Sequence, residues 1–153
     1  MRRLQTFALL LLVLGGCGRI DVIPSPPPSP PASTADYDLG IVSVDFDPAL
    51  QGNRLPVNDT YAVLAAVENR GALTAYNVRV KARLLNEDGG LVLEGAGALE
   101  SLAPGAIAVV RIQPAGSLPA EFATYTLTVR AEPLPNESTL SNNTRTFTIQ
   151  VAP

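Results

Sequence analysis

The sequence predicts an all-β fold, two antiparallel sheets packed face to face, and three observations carry that prediction. Apolar side chains recur at every second position over several short segments, turn-forming residues separate those segments, and no stretch has a convincing amphipathic helical period. Taken in chain order, Leu39 to Phe46 is the first candidate strand and Asp47-Pro48 closes it. Tyr61 to Val67 follows and is apolar on both faces. Its alanines suit a helix, but Val63, Val67 and the turn Asn69-Arg70-Gly71 favour a strand. Val78, Val80, Ala82 and Leu84 alternate with Arg79, Lys81 and Arg83, the pattern of a strand with one buried and one wet face. After Asp88-Gly89-Gly90 come Leu91 to Glu94, then Ala103-Pro104-Gly105 and the strand Ala106 to Ile112. Tyr125, Leu127, Val129 and Ala131 alternate with threonines and Arg130. Phe147, Ile149 and Val151 alternate with Thr148 and Gln150 beyond the turn Asn142-Asn143. Seven short strands at this spacing predict a seven-stranded antiparallel β-sandwich of immunoglobulin/fibronectin-III-like type.

The sandwich accounts for residues 37–153, enough for one core and too few for two. What precedes it is of another kind. Arg2 and Arg3 lead an apolar run, Leu4 to Leu14, followed by Gly15, Gly16 and the only cysteine, Cys17. A charged start, a short apolar stretch and small residues make a secretory signal peptide over residues 1–16. The run is about half of the roughly 20 apolar residues a transmembrane helix needs. Leu14-Gly15-Gly16-Cys17 resembles the lipobox of bacterial lipoproteins. That resemblance implies cleavage before Cys17, acylation of its thiol and a stable membrane anchor, since two or more acyl chains hold a protein durably. It implies a protein on the cell membrane or outer membrane, facing periplasm or cell surface. Gly18, where the familiar sorting rule would look for Asp, favours the outer membrane in a two-membrane host.

Residues 17–36 form the predicted tether. Pro24, Pro26, Pro27, Pro28, Pro30 and Pro31 are interleaved with serines, and nothing there builds a core. Polyproline II geometry, at about 3.1 Å per residue, lets Gly18 to Asp36 reach about 60 Å. Pro-x-x-Pro spacing at Pro24 and Pro27 would also suit a docking motif, and the spacer is the plainer reading.

Composition excludes several functions. The chain has eleven basic and fourteen acidic residues; without Arg2 and Arg3 its formal charge falls from −3 to −5. An acidic chain argues against nucleic acid as a partner, because displacing counterions takes a basic stripe. There is no histidine, so histidine catalysis and histidine metal sites are excluded, and one cysteine makes neither a disulfide nor a thiolate cage. No cofactor, metal or catalytic site is expected. Carboxylates do gather in pairs at Asp36 and Asp38, Asp45 and Asp47, Glu87 and Asp88, and Glu132 and Glu137. A calcium loop or a glycosidase pair would draw on such groups; solvated loop acids are the simpler account. Arg79, Lys81 and Arg83 line one wet face, either to keep an exposed sheet from pairing with neighbours or as a patch for acidic glycan or protein. Asn58, Asn136 and Asn142 head N-glycosylation patterns, discounted in a bacterial lipoprotein.

In the order of its motifs the domain resembles CARDB domains, immunoglobulin-like modules linked to bacterial cell adhesion. The matching residues are Asp38-Leu39 and Pro48, then Val67-Glu68-Asn69-Arg70-Gly71, Ala75 and the Val78/Val80 pair. Leu102-Ala103-Pro104-Gly105, Tyr125 to Val129, and Glu137-Ser138 with Ser141-Asn142-Asn143-Thr144 complete the series. Thr139 and Leu140 depart from the family pattern, and the connection from Glu132 is about two residues short of it. The resemblance implies a non-catalytic module for adhesion or for binding an envelope protein or glycan, or else an accessory subunit of an envelope assembly. Physically, Gly71 and Gly105 supply backbone freedom, Asn69, Asn142 and Asn143 are expected to bond loop backbone, and Tyr125 to bond backbone from a sandwich corner.

Overall fold

The computed structural model describes residues 36–52, 54–55, 61–116 and 123–151. The signal peptide, Cys17, the proline-rich tether and the Asn58 pattern lie outside the described residues. The described residues form eight strands: β1 (Leu39–Asp47), β2 (Arg54–Leu55), β3 (Ala62–Asn69), β4 (Ala75–Leu85), β5 (Leu91–Leu102), β6 (Ile107–Ile112), β7 (Thr124–Ala131) and β8 (Thr144–Val151). They form a three-stranded sheet, β1-β3-β6, and a five-stranded sheet, β2-β8-β7-β4-β5. All seven expected strands are there and pair antiparallel; the two-residue β2 is an addition, running parallel to β8.

Alternation builds the core. Val63, Ala65 and Val67 of β3 pack with Val78, Val80, Ala82 and Leu84 of β4 and Leu127 and Val129 of β7 in one apolar core. Each such valine or leucine contributes about 1.5–3 kcal/mol when fully buried. In β1 the inward residues change parity, from Leu39 and Ile41 to Val44 and Phe46. A bulge between Ile41 and Ser43 absorbs the extra residue and leaves Val42 on the surface. β4 also changes parity, with Ala75 and Val78 both facing inward and Asn77 in the left-handed region at φ 54°, but its register with β5 is unbroken there.

β5 is three times the length expected from Leu91 to Glu94. Beyond Glu94 it reads Gly-Ala-Gly-Ala, without the bulky alternation that signals a strand. The small residues are needed because the two sheets converge here. A Cβ on Gly95 would stand 2.8 Å from the Pro114 Cα, and one on Gly97 would stand 2.9 Å from the Arg111 carbonyl oxygen.

Candidate binding face

The outer face of the five-stranded sheet gathers the chemistry. Because β4 lies between β7 and β5, its outward residues Arg79, Lys81 and Arg83 are flanked on both sides. Pairing sets Lys81 opposite Arg130 of β7 and Ala96 of β5, and Arg83 opposite Thr128 and Glu94. Alternate residues on one strand stand about 6.6–6.8 Å apart and neighbouring strands about 4.8 Å, so the four cations share a small area. Protecting a strand edge does not explain the stripe, since both edges of β4 are hydrogen-bonded.

Two carboxylates partly neutralise this group. Lys81 Nζ lies 2.5 Å from Glu132 Oε1, and Arg83 Nε lies 3.0 Å from Glu94 Oε2. Glu132 is held just past the end of β7 by its backbone N–H, which donates to the Arg79 carbonyl at 2.8 Å. The hydrogen bond from Lys81 lowers the Glu132 pKa most; desolvation opposes it, and the charges of Lys81, Arg79 and Arg130 lower it further. Among the described residues, Arg79 and Arg130 form no ion pair of their own. The surface is hollowed around them. One concavity of about 620 Å³ is lined by Lys81, Arg83, Thr128, Arg130, Glu132, Pro133 and Thr144. A second, about 270 Å³, lies between Arg79, Lys81 and the short side chains of Ala96 and Ala98. The basic stripe was visible in the sequence; Arg130 and Glu132 were not seen to join it, because the β4–β7 register decides that.

The other polar residues singled out in the sequence are structural. Asn69 is fully buried: its Nδ2 donates to the carbonyls of Leu73 and Leu102, both at 2.8 Å, and its Oδ1 accepts from Gly71 N–H at 3.0 Å. Its backbone brackets the Ala103-Pro104-Gly105 turn, in which Gly105 takes φ 72°. Asn142 and Asn143 depart from expectation. Their side-chain amides donate to carboxylates, Asn142 to Asp38 Oδ1 and Asn143 to Glu137 Oε1. Their backbone carbonyls, instead, accept from the N–H groups of Ile41 and Ala131. Tyr125 is buried in the core at the start of β7, and the expected hydrogen bond from its hydroxyl to backbone is not found among the described residues.

The fold brings Asp38 and Glu137 to one end, where Asp38 Oδ1 accepts from Asn142 and both Glu137 oxygens are committed. Glu137 accepts from Leu39 N–H at 2.6 Å, Leu134 N–H at 2.9 Å and Asn143 Nδ2 at 3.0 Å. Asp47 pairs with Arg111 and Glu68 with Arg70. Among the described residues, no three acids are grouped to hold a metal ion. No helix among them is long and apolar enough to cross a membrane.

No family model and no curated protein matches the sequence. Solved structures do. A domain of a protein assigned to the cell surface of Methanosarcina acetivorans is 27% identical, with TM-score 0.55, over 76% of this chain and 92% of its own. The CARDB domain of a Pyrococcus furiosus protein, crystallised with di-metal ions, has TM-score 0.52 at 19% identity, covering 76% of this chain and 89% of that one. Its solution structure has TM-score 0.53 at 20% identity, covering 76% and 96%. The described domain has the CARDB fold. CARDB topology accounts for the position of the candidate face: four of the five strands in the larger sheet pair antiparallel and present one continuous outer surface.

Proposed function

We propose that this protein is a non-catalytic binding module displayed at the cell envelope, anchored through acylated Cys17 and held off the membrane by residues 18–36. The observation that carries the binding role is the hollowed outer face of the five-stranded sheet, where Arg79 and Arg130 have no ion-pair partner among the described residues. An acidic chain that concentrates cations at one concave place has an electrostatic reason to attract an anionic partner there. The cell-surface assignment of the Methanosarcina protein and the CARDB fold support the location and the adhesive role. The lipobox-like Leu14-Gly15-Gly16-Cys17 supports the anchor.

Three measurements test this. Mass spectrometry of the mature N-terminus is expected to find diacylglyceryl on Cys17, and Cys17→Ala is expected to leave the membrane fraction in a high-salt wash that screens the basic face. At low salt the released Cys17→Ala chain should co-sediment with isolated envelopes, and Arg79→Glu with Arg130→Glu should abolish that. Retention of the Cys17→Ala chain through the high-salt wash removes the anchor from the proposal; unchanged low-salt sedimentation of the double variant removes the face.

A second reading has an observation of its own. The outer face of β1-β3-β6 exposes Ile107 at 57%, Val109 at 60% and Val42 at 41%, beside half-buried Leu64 and Ala66. Contiguous apolar surface of this kind suits a subunit docked into an envelope assembly. A stoichiometric partner recovered from solubilised membranes, and lost with Val109→Lys, is the outcome that favours it.

A further inference from the structure

The lining of the two concavities narrows what the basic face can hold. Its charged groups are Arg79, Lys81, Arg83, Arg130 and Glu132; the rest are threonine hydroxyls, one proline and the small residues Ala96, Gly97 and Ala98. A protein partner needs a desolvated anchor, usually an aromatic or a large aliphatic group, and this lining has none. A nucleic acid strand needs aromatic platforms for its bases, which are also missing. Cations plus hydroxyls suit a ligand that is itself anionic and hydroxylated.

Resting on the reading of this face as the binding surface, we propose that it binds an acidic polysaccharide through its carboxylates, with Glu132 occupying the place of one ligand carboxylate. The geometry of Glu132 is the core of the argument. Its side chain accepts from Lys81, and its backbone is fixed to the Arg79 carbonyl, so the carboxylate is delivered to the cations by the end of β7. It reports what the cation group accepts: a carboxylate at hydrogen-bond distance from an ammonium, within the field of two guanidinium groups. One internal acid cannot satisfy three cations, and Arg79 and Arg130 remain to bind. On either side the floor is low, at Ala96 and Ala98 toward β5 and at Thr128 and Thr144 toward β8, so a linear chain can cross the strands without collision. Glu132 is then an internal competitor, which lowers affinity and keeps the unliganded face soluble.

That role gives a test in which one substitution must strengthen binding. The full-length chain is titrated with polygalacturonate, with uncharged dextran and with polyglutamate. The expected result is salt-sensitive binding of polygalacturonate and none of dextran or polyglutamate. Arg79→Gln and Arg130→Gln should each weaken it about fivefold or more, because a charge-assisted hydrogen bond is lost. Glu132→Gln should tighten it several-fold with an unchanged far-ultraviolet spectrum. A merely structural Glu132 predicts no gain. The inference is overturned if Glu132→Gln binds no better, or if polyglutamate binds as well as polygalacturonate. It is also overturned, with the binding face left standing, if envelopes retain the protein in an Arg79- and Arg130-dependent way while polygalacturonate does not bind.

Discussion

Asn69 ties three backbone groups together with one side chain, although nothing about it is chemical. One buried amide joins the β3–β4 connection through Leu73 and Gly71 to the end of β5 through Leu102. An ordinary hydrogen bond nets about 1 kcal/mol, but a buried partner left unpaired costs about 1–3 kcal/mol. Asn69→Ala strands two carbonyls and an N–H, and we expect it to lose about 3 kcal/mol in urea unfolding. Glu137 works on the same principle with charge. Three donors converge on its two oxygens, and hydrogen bonds to a charged group are worth about 1.5–3 kcal/mol. Glu137→Gln keeps the shape but replaces one acceptor with a donor that faces donors. A loss of about 2 kcal/mol, larger than that of the exposed Glu94→Gln, is the expected result.

At the scale of the element, β5 shows how a strand can be essential yet poorly written in sequence. Alanine is ordinarily preferred to glycine within a strand by about 0.5–1 kcal/mol. At Gly95 the sign reverses, because the added Cβ would press on the Pro114 backbone at 2.8 Å, with the Ile112 Cγ2 at 3.0 Å. Overpacking costs about 1–3 kcal/mol, so Gly95→Ala should destabilise by that amount, whereas Ala96→Gly on the outer face should cost under about 1 kcal/mol. Thermal unfolding of the two variants separates them. The same contrast explains what was legible. Strands with large residues on alternate positions, such as Val78 to Leu84 and Tyr125 to Ala131, were readable because one buried face imposes the period. The extension of β5 was not, because Gly95 and Gly97, its first inward positions beyond Glu94, must lack side chains for the sheets to meet. The two-residue β2 is too short to carry any period. The binding face was half legible: period two places Arg79, Lys81 and Arg83 together, but the partner strand's register, which brings Arg130 and Glu132 beside them, is a tertiary fact.

For the whole molecule, the titratable inventory sets the pH range over which the sandwich stands. With no histidine in the chain, no side chain has an ordinary pKa between about 5 and 8, so stability should be level there. The alkaline limb belongs to Tyr61, which stands against the core beside Phe46, Val63 and Leu127. Burial raises its pKa from 10.0 to about 12. The folded state therefore keeps this proton while the unfolded chain loses it, and stability falls as pH rises from 10.0 toward about 12. Below 10.0 that contribution is fully present. The acid limb has the opposite sign: Glu132, its pKa lowered from 4.5, contributes above that value and loses its contribution as pH falls, weakly because the group is solvated. Urea midpoints measured from neutral pH upward should stay flat and then decline above pH 10, and Tyr61→Phe should remove most of that decline. A wild-type decline that survives in Tyr61→Phe would assign the alkaline limb to another group and refute the burial argument for Tyr61.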